Sequence, residues 1–226
     1  MPDGVIMLKC NGFLFDLDGT LVDSLAVVER SWCQWGDRFG IPHQEILQFI
    51  HGKQAITSLR HFMPGQPESA IQAEFLALEK LEASDTDGIH ALPGARELLA
   101  RLDDNQIPWA IVTSGSIPVA SARREASQLP APKVLVTAEQ VQHGKPRPDA
   151  YLLGAERLGL EPADCVVVED APAGIAAGLA AGCKVIAVNA PASTPDLDRV
   201  DMVLDSLEQL IVEVLPGGEI ALKKRT

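Results

Sequence analysis

Residues 13–20 read Phe13-Leu14-Phe15-Asp16-Leu17-Asp18-Gly19-Thr20. The apolar start has the character of a buried strand, and Gly19-Thr20 is a turn signal. The spacing predicts one extended run over 13–18. Asp16 and Asp18 are two apart on it, so their side chains share a face. Two carboxylates held that close repel, and one tends to keep a proton unless a cation intervenes.

Working outward, further apolar runs follow at Trp109–Val112, Val134–Val136, Cys165–Val168 and Val185–Val188, with Met202–Leu204 as a last short strand. Helical patterns separate them: Ala95–Leu102, Val119–Ser127, Pro148–Leu158 closed by Gly159, and Ala173–Ala181 capped by Gly182. Strands that are continuously apolar and alternate with helices predict a parallel sheet covered on both faces. The fold class is therefore α/β, a doubly wound, Rossmann-like core. The stretch from the first strand to Trp109 is too long for one crossover. Within it Trp32, Trp35 and Phe39 fall on one helix face, read here as a core stripe. Glu68 to Ala83 forms a second helix, with Ile71, Phe75, Leu78 and Leu81 on one side. This stretch reads as an inserted all-α cap over residues 25–90, leaving residues 1–24 and 91–226 as the core.

Ligands of doubly wound sheets bind at the carboxyl ends of the strands. Polar residues gather at those ends: Asp16 and Asp18 after the first strand, Thr113 and Ser114 after the second, Glu169 and Asp170 after Cys165–Val168. Four carboxylates in one crevice call for a cation. An oxygen-only ligand set selects a hard ion, and Mg2+ fits best. Lys145, in Gly144-Lys145-Pro146-Arg147-Pro148, supplies a compensating point charge that could bridge a nucleophile and a phosphate oxygen. Thr113 and the Ser114 N–H suit another phosphate oxygen. Ser114-Gly115-Ser116 does not match the Gly-x-Ser-x-Gly nucleophile elbow, which argues against a serine hydrolase.

Composition narrows the partners. A net charge of -12 repels nucleic acid and anionic membranes, so neither is expected as a partner. No run approaches the ~18 apolar residues of a membrane span, and no signal peptide is visible. The expectation is a cytoplasmic monomer acting on a small molecule. Cys10, Cys33, Cys165 and Cys183 form no Cys-x-x-Cys pair and read as buried free thiols. Met1 to Ile6 reads as a start-site extension.

Taken together, Asp16-Leu17-Asp18-Gly19-Thr20, Thr113, Lys145 and Glu169-Asp170 resemble, in order, the four motifs of the haloacid dehalogenase superfamily. The stretch Phe49–Phe62, with Val112–Ser116, is similar to that superfamily's bacterial sugar and hexitol phosphatases and their fungal relatives. The resemblance implies roles. Asp16 attacks phosphorus and becomes an aspartyl phosphate. Asp18 protonates the leaving alkoxide and then activates water. Mg2+ is held by Asp16, the Asp18 carbonyl and Asp170, with Glu169 assisting. Thr113, Ser114 and Lys145 hold the phosphoryl group. In the cap, His51, Gly52 and Lys53 form the loop expected to face a sugar or polyol phosphate, with Leu21–Ser24 and Asp87-Gly88 as hinges.

Other branches of the superfamily are weighed on the same residues. Dehalogenases and phosphonatases lack the second acid, which Asp18 supplies here. The β-phosphoglucomutases keep both aspartates and are the alternative reading. They carry a histidine twelve positions after the nucleophile, where this chain has Val28. Receiver domains share the acids, Thr and Lys, but are about half as long and carry the acceptor on a middle strand.

Overall fold

The computed structural model describes residues 7–226, and the extension read at Met1 to Ile6 lies outside them. The chain opens with β1 (Leu8–Cys10) and β2 (Gly12–Phe15). Next, β3 (Val22–Asp23) leads into four helices: α1 (Leu25–Phe39), α2 (His43–Phe49), α3 (Ala55–Phe62) and α4 (Glu68–Ser84). The short β4 (His90–Ala91) leads out of them. Then come α5 (Ala95–Asp104), β5 (Trp109–Val112), α6 (Ile117–Ala126), β6 (Val134–Val136) and α7 (Asp149–Leu158). The chain continues with β7 (Cys165–Glu169), α8 (Pro172–Ala180), β8 (Lys184–Val188), β9 (Met202–Leu204), β10 (Leu210–Val214) and β11 (Ile220–Lys224).

Six strands form one sheet in the order β6-β5-β2-β7-β8-β9, and every pairing in it is parallel. Phe15 pairs with Ile111 on one side and Val168 on the other. One step further along, Asp16, Val112 and Glu169 therefore stand at the same level. The register alone brings the ends of β2, β5 and β7 side by side.

Residues alternate between the two faces of this sheet. Phe13, Phe15, Ile111, Val166 and Val168 pack with Leu98, Leu99 and Leu102 of α5. Leu14, Ala110, Val112 and Val167 pack with Tyr151 and Ala155 of α7 and with Ile175 and Ala177 of α8. Both faces are covered, which is why the strands carry few polar residues. As expected, α7 stops at Gly159, which takes the left-handed conformation at φ 71° that glycine adopts at little steric cost.

The four helices between β3 and β4 have an apolar centre of their own, built from Trp32, Trp35, Ile46, Ile50, Leu59, Met63, Ile71 and Leu78. Each fully buried side chain of this size contributes roughly 1.5–3 kcal/mol. The expected aromatic stripe is only partly a core feature. Trp32 and Trp35 are buried, but Phe39, in the last turn of α1, is 43% exposed and lies tilted against Trp35, ring centres 4.8 Å apart.

Two sequence expectations need correcting. The first strand ends at Phe15, so Asp16 and Asp18 lie beyond it, where the chain turns through Gly19. Met202–Leu204 is not the last strand. β10 and β11 follow and form an antiparallel sheet with β1, in the order β1-β11-β10. This sheet closes the α5 side of the core with Leu8, Cys10, Leu210, Val212, Ile220 and Leu222.

All four cysteines are free thiols, and Cys10, Cys165 and Cys183 are buried. Burial pushes their pKa values up to about 12, 11 and 12 respectively, so their thiolates are scarce near neutral pH. Cys33 is half-buried. Thiol titration of the native protein is expected to count Cys33 alone, and all four after unfolding in urea. Three or more reactive thiols in the native state would contradict this packing.

Candidate active site

The acids beyond β2 and at the end of β7 meet around one buried lysine. Lys145 sits on the segment before α7 and is 7% exposed. Its Nζ donates to Asp16 Oδ1 at 2.9 Å, to Glu169 Oε1 at 2.8 Å and to the Val112 carbonyl at 3.0 Å. An ammonium has three N–H donors, and all three are used. The Tyr151 hydroxyl, from α7, also donates to Glu169 Oε1, at 2.5 Å. Thr20 Oγ1 reaches Asp170 Oδ1 at 3.2 Å and Asp16 Oδ2 at 3.4 Å. Gly174, in the first turn of α8, leaves room for the Glu169 carboxylate; an added Cβ there would overlap it.

This packing sets the charge balance. Burial, and then the charge of Asp16, pushes Glu169 up to about 7 despite Lys145. Burial, Asp16 and Glu169 hold Asp170 well above the usual carboxylate range. Burial works against the Lys145 ammonium, but Asp16 and Glu169 more than offset it and its pKa is raised. Burial and Glu169 drive the Tyr151 phenol up as well, so it acts as a donor. One ammonium thus faces three acids. Asp16, Glu169 and Asp170 each offer one oxygen, all within 4.8 Å of one another. An oxygen-only set with surplus negative charge fits a hard divalent cation such as Mg2+.

Asp18 stands apart from that trio. Ser24 Oγ donates to its Oδ1 at 2.5 Å, and Arg123 Nη1, from α6, donates to its Oδ2 at 3.0 Å. Thr113 Oγ1 accepts the Gly115 N–H at 3.0 Å, and Ser114 follows it in the loop before α6.

The four-helix stretch between β3 and β4 meets this rim. The loop between α2 and α3 rests on the core at two points. Gly52 lies against Ala171, beside Asp170, and a Cβ on it would come within 3.2 Å of the alanine methyl. Gln54 lies against Gly144, beside Lys145, leaving no space for a Cβ there. Lys53 is less free than the sequence suggested. Its Nζ donates to the Phe49 carbonyl at 2.6 Å and lies 4.2 Å from the Phe49 ring centre, both within the insert. His51 Nε2 is 3.6 Å from Glu29 Oε1.

Asp16, Asp18, His51, Gly52, Lys53, Thr113, Ser114, Lys145, Glu169 and Asp170 all line one cavity of about 730 Å³. Sequence reasoning passed over Tyr151, Arg123 and Glu82, the last an α4 residue that lines the same cavity, and read Ser24 only as part of a hinge. Tyr151, Arg123 and Glu82 reach the site only through tertiary packing, whereas Ser24 is six residues from Asp18.

Comparisons with known proteins show the family. Residues 10–182 match the model of the haloacid dehalogenase-like hydrolases. The chain is 64% identical to hexitol phosphatase A of Escherichia coli (strain K12), covering 96% of this chain and 100% of that one. It is 34% identical to glycerol-1-phosphate phosphohydrolase 1 of Saccharomyces cerevisiae, covering 85% and 79%. A hydrolase from Pseudomonas syringae superposes with a TM-score of 0.73 at 29% identity, covering 88% and 94%. A parallel sheet with its acids gathered around a buried lysine, matched over most of its length, thus leads to one assignment: the chain belongs to the haloacid dehalogenase-like hydrolase family.

Proposed function

We propose that the protein is a magnesium-dependent phosphatase that hydrolyses small sugar or sugar-alcohol phosphates through an aspartyl phosphate on Asp16. The observation that carries this reading is the clamp of Lys145 on Asp16 and Glu169 at 2.9 and 2.8 Å. The 64% identity to a hexitol phosphatase over that protein's full length supports the substrate class.

In this reading an Asp16 carboxylate oxygen attacks phosphorus, and the bond from phosphorus to the substrate oxygen breaks. An alkoxide is a poor leaving group, and Asp18 gives it a proton. A general acid of this kind contributes typically about 10²–10⁴-fold. Water then attacks the aspartyl phosphate while Asp18 takes its proton, which releases inorganic phosphate and restores both aspartates. Lys145, Thr113 and the Ser114 N–H hold the phosphoryl oxygens where charge spreads in the transition state. Asp16, the Asp18 carbonyl and Asp170 would hold Mg2+, with Glu169 assisting. When bound, the ion neutralises phosphoryl charge.

Residues 25–90 serve as a cap in this proposal. Its loop at His51, Gly52 and Lys53 limits the water that reaches the crevice and helps choose the leaving group. Lys53 is engaged by the Phe49 carbonyl and would leave that contact to reach the ligand. No described helix is long and apolar enough to cross a membrane. We place the protein in the cytoplasm, acting as a monomer.

A steady-state panel of hexitol, hexose and glycerol phosphates with Mg2+ tests the reading. Free phosphate release is expected, and chelation by EDTA should lower it by at least ~100-fold, restored by added Mg2+. Undiminished release in EDTA would remove the metal from the reading. Isomerised product with little free phosphate, on adding a sugar bisphosphate, would make the protein a mutase.

A further inference from the structure

Arg123 has no part in the chemistry above, yet it is among the most buried charged residues of the described chain, at 4% exposed. Its Nη1 donates to Asp18 Oδ2 at 3.0 Å. Its Nη2 stands 3.5 Å from Glu82 Oε1, and Glu82, on α4, is itself 7% exposed. Buried arginines are rare unless paired, and here one guanidinium lies between two carboxylates from different parts of the fold. Asp18 belongs to the core and Glu82 to the helical insert, and the pair sits where α4 packs along α6. Arg123 Nε and Nη2 have no hydrogen-bond partner. The Asp18 contact is therefore the hydrogen bond that fixes the guanidinium, with the Glu82 carboxyl, which burial pushes up to about 7, as its second neighbour.

We propose that Arg123 is a positioning residue for Asp18, and that Glu82 holds Arg123 in place from the insert. The proposal rests on the reading that Asp18 carries the leaving-group proton. Asp18 sits past the end of β2 with its side chain partly exposed. A proton donor must stand within roughly 2.6–3.2 Å of the atom it serves, and a misplacement of ~1 Å can cost about 10²-fold. A planar fork that is always charged can fix one carboxylate while being fixed by another, which a flexible ammonium does poorly. The placement of Asp18 thereby depends on a residue of the insert.

The test uses two substrates that differ in their need for a proton. A hexitol phosphate leaves as an alkoxide; p-nitrophenyl phosphate leaves as a stabilised phenolate. With Mg2+ present, kcat/KM is measured on both for the full chain and for Asp18→Asn, Arg123→Met, Arg123→Lys and Glu82→Gln. Inorganic phosphate inhibition serves as a binding control. Asp18→Asn should lose about 10²–10⁴-fold on the hexitol ester and far less on the aryl ester. Arg123→Met should show the same split, its hexitol loss exceeding its aryl loss by about tenfold or more. Arg123→Lys should recover part of it, and Glu82→Gln should show a smaller split in the same direction. If Arg123→Met fails to fold, the lysine and Glu82 variants are read by the same ratio.

Equal losses on both esters in the Arg123 and Glu82 variants, with the split intact in Asp18→Asn, would overturn this proposal alone. Weakened inhibition by phosphate, or a rise in KM without a fall in kcat, would make Arg123 a substrate ligand and overturn it too. A missing split in Asp18→Asn would instead overturn the proposed role of Asp18.

Discussion

Asp16→Asn is expected to lower phosphatase turnover by at least ~10⁴-fold while the protein stays folded, because removing a covalent nucleophile abolishes the path rather than slowing it. The substitution keeps the shape of the side chain, and the carboxamide oxygen can still accept from Lys145 Nζ. It removes one negative charge from a crowded centre. Asp16 is among the causes that raise Glu169 to about 7 and hold Asp170 well above its ordinary range. Without magnesium the variant should therefore unfold at a temperature no lower than the parent. Turnover is checked by phosphate release and folding by thermal denaturation. Near-parental turnover would remove Asp16 as the nucleophile.

Lys145→Met is expected to cost both activity and stability. Lys145 is the buried cation between Asp16 and Glu169. A methionine of similar length fills the space but leaves those carboxylates without a counter-charge. Breaking a buried ion pair from one side typically costs about 3–5 kcal/mol. The penalty should depend on pH in a definite direction. Glu169 is a carboxyl whose folded pKa is raised to about 7 even with Lys145 present, and losing the ammonium raises it further. The folded state then binds a proton that the unfolded state has released above ~4.3. Stability of the variant should fall as pH rises from 5 through 8, and the gap to the parent should narrow at pH 5. Denaturant melts in EDTA at several pH values check this. A gap that widens toward low pH would show that the lysine does something other than balance these acids.

Most of the candidate site could be read along the sequence because its acids and Thr113 stand at the ends of apolar strands. Asp16 and Thr113 follow β2 and β5, Glu169 ends β7, and the parallel register places them together without further information. Lys145 could be read because it interrupts a stiff Pro-containing segment just before a helix. Tyr151, Arg123 and Glu82 could not. Tyr151 is one turn into an ordinary helix pattern, and Arg123 and Glu82 become a pair only when α4 meets α6. Lys53 shows the opposite failure. Its place beside a glycine suggested reach toward a ligand, but four residues earlier the Phe49 carbonyl and ring were in range of the same ammonium. The strands β10 and β11 were missed for a different reason. Leu210–Val214 carries an acid among its apolar residues, Ile220–Lys224 ends in two lysines, and both stand outside the alternation of strands with helices that marked the central sheet.

β1 pairs with β11, Leu8 opposite Leu222, and the ion pair between Lys9 and Glu219 crosses the same seam over 210 positions of chain. A ribosome makes these two strands about 210 residues apart. Synthesis proceeds at roughly 5–20 residues per second and early parts fold first. Leu8 and Cys10 must therefore wait for tens of seconds as an unmatched edge while the rest of the core assembles. The final closure joins two distant stretches, so its entropic cost has already been lowered by everything folded between them. Until that seam closes, the unpaired edge of β1 is open to a wrong neighbour.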